Sequence, residues 1–378
     1  MKKFGSCINY ILVDLINIYK NNTPDNFEIE KINYLKKENI DFLNYYKLDY
    51  NKMTKIINFI DKYVDIITPE NEMKMSFTIN KNEPIFVDDK INDKCFNFKY
   101  IEKIYKFARD NNLKMRFHTI IWYRYIPEQL LNYLKDKSKT EKRNLTLLFL
   151  KEYMKRIKQR YSNIYAIDVI NEIAADPDEI NFYKMENKPI YEFDKNGIRK
   201  DDWYNLIGKD YYIEIFKMAR KIFGSIKLFY NDCNEGNKLK QKYFTNIINN
   251  IKQYENKNNI HLIDGFGMQS HYWGSNDEDK KYMKDMYSFY TKLNLEIQIT
   301  EFDVSNHSAK KMQENIFKNF IEVIQNYNID TFTTWGLNDL VSWYSEHDAT
   351  LIDKNCDFKD FTQKYLNYFS NKGKNFSD

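Results

Sequence analysis

Ile164-Tyr165-Ala166-Ile167-Asp168-Val169-Ile170-Asn171-Glu172 is the stretch on which the fold turns. It begins as a β-branched, apolar run and ends on an amide and a carboxylate. An amphipathic pattern over Leu145–Tyr161 precedes it. Another, over Tyr211–Phe223, follows, with Ile213, Ile215, Phe216, Met218 and Ala219 at helical spacing. A short apolar run between two helical patterns is one step of an alternating β/α chain.

The same alternation extends in both directions. Eight runs read as strands: Phe4–Ile8, Val64–Thr68, Lys114–Thr119, Ile164–Ile170, Ile226–Tyr230, Ile263–Met268, Leu295–Thr300 and Thr331–Trp335. Phe98–Asn111 and Ala309–Tyr327 are further clear helices. Strand then helix, eight times, predicts an α/β fold, a (β/α)8 TIM barrel. An open doubly wound sheet is the competing arrangement, but no G-x-G-x-x-G follows the first strand. Gly (10) and Pro (6) are scarce and no linker-like stretch occurs, so residues 1–378 are expected to form one domain. The polar and aromatic segment over 21–50 fits no barrel element and reads as an insertion.

Composition narrows the function. The 58 basic and 54 acidic residues nearly cancel, which argues against a nucleic-acid footprint and its clustered excess charge. The Lys151–Arg160 run reads as a solvated helix face. Cys7, Cys95, Cys233 and Cys356 are widely spaced and form no C-x-x-C pair, so neither a zinc site nor a disulfide framework is expected. Met1-Lys2-Lys3 is followed by Asn9, Asp14 and Asn17 rather than an apolar core, and no run of 18 apolar residues occurs. The expectation is a cytoplasmic protein, or a secreted one whose leader precedes this numbering, with no membrane partner.

The strand ends carry the chemistry. The second run ends in Thr68-Pro69-Glu70-Asn71-Glu72-Met73-Lys74, and the third in His118 with Trp122 beyond it. The fifth ends in Tyr230-Asn231-Asp232, the sixth in Gln269-Ser270-His271 and the seventh in Thr300-Glu301-Phe302-Asp303. The eighth ends in Trp335, with Trp343 in the loop after it. One polar strand end is often a helix cap. Seven converging on the C-terminal rim of a barrel point to a site. Glu172 and Glu301 face each other across that rim, and cleaving a glycosidic bond needs two such carboxylates.

These blocks, in this order, resemble glycoside hydrolase family 10, the endo-1,4-β-xylanase family. The similarity extends from Phe4-Gly5-Ser6 to the helix near Tyr368 and includes Asp264–His271 and Trp335-Gly336-Leu337-Asn338-Asp339. The resemblance implies double displacement on xylan or xylo-oligosaccharides. Glu301 is then the nucleophile and Glu172 the acid/base. His271 and Asp303 form a triad with Glu301, Asn171 meets the sugar 2-hydroxyl, and Asp168 orients His118. His118, Lys74, Asn71, Glu70, Asn231 and Gln269 bind sugar hydroxyls. Trp335 and Trp343 form an aromatic wall, to which Trp122 belongs unless it merely packs. No cofactor and no metal are implied. The partner is the polysaccharide or oligosaccharide alone, and the chain is expected to act as a monomer.

The chain departs from the family pattern at Tyr123 and Tyr125, where a second histidine and a glutamine are usual. Met75 and Ile167 stand where tryptophans are usual. Tyr125 puts one hydroxyl where an amide offers donors and acceptors, so it bears on which sugar binds. A different β-glycan, a catalytically inactive carbohydrate-binding barrel and a metal-dependent barrel enzyme are the alternatives. His347, in the loop after Trp343, reads as a surface or cap residue.

Overall fold

The computed structural model describes residues 3–176, 191–273, 279–306 and 310–363. Eight parallel strands close on themselves: β1 (Lys3–Ile8), β2 (Ile66–Pro69), β3 (Lys114–Trp122), β4 (Ile164–Asn171), β5 (Lys227–Asp232), β6 (Gly265–Met268), β7 (Glu296–Val304) and β8 (Ile329–Thr334). β1 pairs with β8 through Gly5 and Thr333 as well as with β2, and β7 pairs with β8 through Ile299 and Phe332. Every run read as a strand is one, and the closed (β/α)8 barrel is as expected. The strands are buried almost end to end because helices cover the outside and packed side chains fill the inside.

The helices agree less closely at their ends. Tyr211–Phe223 starts and stops where its pattern does. The helix read from Leu145 begins at Lys139, because Ser138 and Glu141 form a capping box that initiates it on a polar first turn. The helix read over Ala309–Tyr327 spans Lys310–Ile324, and the one near Tyr368 lies outside the described residues. All four cysteines are free thiols. No described helix is long and apolar enough to cross a membrane.

The 21–50 segment lies between β1 and β2 and forms helices Pro24–Lys37 and Leu43–Tyr46. Phe27, Leu35, Tyr45 and Leu48 fix it to the barrel by burial. It also reaches the rim. The Asn9 amide nitrogen donates to the Tyr45 hydroxyl at 2.7 Å and to the Glu70 carboxylate at 3.1 Å.

A polar column runs up the barrel interior. At the bottom the Tyr165 hydroxyl donates to Asp330 at 2.5 Å, and Gln298 donates to Tyr165 at 3.0 Å. Arg116 donates to Gln298 at 2.7 Å and makes a two-pronged contact with Asp168. Asp168 then meets His118 Nδ1 at 3.0 Å. Arg116 and Asp168 are both fully buried, so the pair is held in place by mutual need: removing either partner strands a charge.

Candidate active site

Glu301 sits near the top of β7, 5% exposed. Asn231 Nδ2, from β5, donates to its Oε1 at 2.7 Å. His271 Nε2 lies 3.4 Å from Oε2, and His118 Nε2 lies 3.8 Å from Oε1. Burial alone would raise the Glu301 pKa, but the positive fields of His118 and His271 and the Asn231 bond outweigh it and bring it down to about 2. Burial likewise works against the charged form of His271. Asp303, 2.8 Å from its Nδ1, and Glu301 on the other side overcome that and hold it well above the ordinary histidine range. Glu301 is therefore an ionised carboxylate against a charged imidazole.

Gly267 makes this packing possible. A Cβ at that position of β6 would lie 2.2 Å from Asn231 Oδ1, so only glycine lets the amide reach Glu301. Asn231 is fully buried, and its Nδ2 divides between Glu301 and Asn171 Oδ1, the latter at 2.9 Å. Thr300 Oγ1 donates to its oxygen at 2.7 Å.

Glu172, half-buried, follows β4 on a left-handed backbone with φ of 53°, a conformation that costs an L-residue free energy. Its amide donates to the Asn231 carbonyl at 3.0 Å. Neutral donors that meet the carboxylate include Trp122 Nε1 at 2.9 Å, Gln269 Nε2 at 2.8 Å and Asn171 Nδ2 at 3.3 Å. Gln269 also reaches Asn171 Oδ1 at 3.3 Å. The two glutamates are thus joined through three amides, Asn171, Asn231 and Gln269.

The rim carries the remaining expected residues. Lys74 Nζ donates to Asn71 Oδ1 at 2.8 Å and lies over the Trp122 and Tyr125 rings, 4.9 and 5.1 Å from their centroids. Burial lowers its pKa. Burial raises that of Glu70 beside it. Trp335 meets His118 edge-on at 5.4 Å, and Trp343 lies 5.4 Å from His271 while its Nε1 donates to Asp303 at 2.8 Å. The half-exposed Trp343 ring thus lines the opening while its nitrogen steadies the triad. His347 packs on Tyr344 at 4.7 Å, one ring further out.

The two tyrosines that depart from the family pattern part company here. Tyr123 is buried under the Arg199 guanidinium, 4.0 Å from its ring, and its hydroxyl accepts from Arg124 Nε at 2.8 Å. Tyr125 packs beside Trp122, the rings tilted by 35° with centroids 5.1 Å apart, and stays half-buried at the cleft. Sequence reasoning missed Arg116, Gln298, Thr300, Asn9 and Tyr45. Arg116 stands one alternation away from His118, which was named, and so shares its strand face; Gln298 and Thr300 share a face of β7 with no named residue on it to flag them.

The fold and the site define a class: a parallel barrel whose C-terminal rim holds one ionised and one amide-bound glutamate in an aromatic-walled cleft. The profile of Glycosyl hydrolase family 10 matches residues 34–368, and the chain belongs to that family. It is 31% identical over 315 residues to Endo-1,4-beta-xylanase A of Thermotoga maritima, covering 76% of this chain and 26% of that one. It is 28% identical to Endo-1,4-beta-xylanase A of Caldicellulosiruptor saccharolyticus, covering 75% and 78%. The chain therefore spans about a quarter of the Thermotoga relative. Its fold matches the crystal structure of an endo-1,4-beta-xylanase from Caldicellulosiruptor owensensis with a TM-score of 0.70 at 23% identity, covering 97% and 96% of the two chains.

Proposed function

We propose that this chain, as one catalytic barrel over 1–378, hydrolyses β-1,4-xylosidic bonds in xylan or xylo-oligosaccharides by double displacement, acting as a monomer. The Glu301 carboxylate attacks the anomeric carbon as the glycosidic C–O bond breaks, and Glu172 delivers its proton to the leaving oxygen. Water then attacks the glycosyl ester, Glu172 takes up its proton, and Glu301 is released. The observation that carries this reading is the division of environments. Glu301 sits against a charged histidine that keeps it a nucleophile, while Trp122, Gln269 and Asn171 give Glu172 neutral partners compatible with a carboxyl that must gain and lose a proton.

Asn231, expected among the sugar contacts, is better read as support, since its amide is spent on Glu301 and Asn171. Glu70, Asn71, Lys74 and His118 remain the hydroxyl-binding set. Tyr125 favours a second reading, the same mechanism on another β-glycan, because it stands in the cleft where an amide is usual. Product lengths from xylan, xylo-oligosaccharides and mixed-linkage or β-1,4-glucans separate the two. Short xylo-oligosaccharides from xylan are expected. Uncut xylo-oligosaccharides beside a cleaved glucan would overturn the substrate and leave the mechanism.

A further inference from the structure

Glu235 lies in the loop after β5, between Asn234 with φ of 55° and Gly236. It is fully buried, and burial pushes its carboxyl up to about 7 against the pull of backbone amides, His271 and Lys240. A buried carboxyl is costly and needs a reason. Its main chain is held from two sides. Its carbonyl accepts from the Tyr290 hydroxyl at 2.9 Å and from Gln241 Nε2 at 2.9 Å. So anchored, the carboxyl reaches the loop after β6 and accepts the amide of Ser270 at 2.8 Å.

Ser270 is a special position. Its φ is 60°, left-handed backbone that a serine holds only when its surroundings over-determine it. The residue before it, Gln269, donates to Glu172 at 2.8 Å. The residue after it, His271, stands 3.4 Å from Glu301. One backbone turn therefore aims both partners, and one buried carboxyl fixes that turn.

We infer that Glu235 is a positioning residue for both catalytic glutamates, setting Gln269 on Glu172 and His271 on Glu301 through the Ser270 amide. The inference rests on the roles proposed above for that pair. The clamp needs an acceptor oxygen rather than a charge, so it works with the carboxyl neutral or ionised. The groups around the carboxyl are His271 from the short strand His271–Tyr272 that follows β6, Lys240 from the helix after the Glu235 loop, and the hydroxyls of Tyr272, Tyr287 and Tyr290.

Glu235→Gln and Glu235→Ala both remove the charge, but only Gln keeps the acceptor. Measured well below the unfolding temperature, Ala is expected to lower kcat by roughly ten- to a hundredfold with KM little changed, and Gln to restore most of it. The acid limb of the Ala pH profile should move up as His271 loosens from Glu301. An NMR titration of His271 in the free protein should show a lower pKa in Ala than in Gln. If Ala does not fold, Glu235→Met, which fills the space with only a weak acceptor, takes its place. Ala, or Met in its place, matching Gln in both kcat and the His271 titration would overturn the inference. A parent chain that cleaves no β-glycan would instead overturn the proposed reaction, and the titration would still decide the role of Glu235.

Discussion

Glu301 and Glu172 are the same side chain in different surroundings. Glu301 is buried, faces two histidines and titrates near 2. Glu172 is half-buried, sits on a left-handed backbone and is met by an indole and two amides. The comparison teaches that the proposed division of labour follows from what surrounds each carboxylate, since both sit near the end of a barrel strand in similar sequence contexts. It also says where each role breaks.

The largest effect is expected at the proposed nucleophile. Glu301→Ala should lower kcat on xylo-oligosaccharides by on the order of 10⁴-fold or more, because no other group can form the glycosyl ester. If parent and variant release reducing sugar equally slowly, the chain is a binding barrel. Glu172→Ala should cost about 10²–10⁴-fold on natural linkages, and clearly less on an aryl glycoside whose leaving group needs no proton. A loss independent of the leaving group would mean that the two roles are assigned the wrong way round.

Beneath both lies the Arg116–Asp168 pair. Arg116→Ala should destabilise the barrel by about 3–5 kcal/mol in chemical unfolding, because Asp168 is left buried and unpaired. A much smaller change would show that the column beneath His118 is solvated.

His271→Ala sharpens the contrast through pH. Glu301 has a depressed pKa, so its ionised form contributes stability fully above about 4.5, lost as pH falls toward about 2. His271 has a raised pKa, so its contribution is complete below 6.5 and is lost as pH rises through the higher folded value. Removing the imidazole should lift the acid limb of activity from near 2 toward 4.5 and reduce stability in the acidic range. An unmoved acid limb would place the titrating group elsewhere. The smallest effect is expected at Tyr125→Gln, a change in KM of about tenfold or less with kcat preserved, read as a shift in preference between xylan and glucan fragments.

Most of the barrel was legible because each strand is a short apolar run with a helical pattern on either side. The two glutamates were legible because they end such runs. What was not legible depended on contacts distant in sequence. Arg116, Gln298 and Tyr165 look like ordinary polar alternation until closure turns that face inward. Tyr45 gave no sign in a polar segment that it would meet Asn9 behind Glu70. Ser138 and Glu141 were the exception, a local capping signal that could have placed the helix start at Lys139. Tyr125 stood out in the sequence as the change that bears on sugar choice, and packing agrees in leaving it at the cleft while it buries Tyr123 under Arg199.

The central claim is that Glu301 attacks sugar carbon rather than positioning water. Proton NMR of the first product released from a β-linked xylo-oligosaccharide, recorded before mutarotation, tests it most directly. The account predicts the β-anomer, retained through two displacements. Initial release of the α-anomer would contradict it.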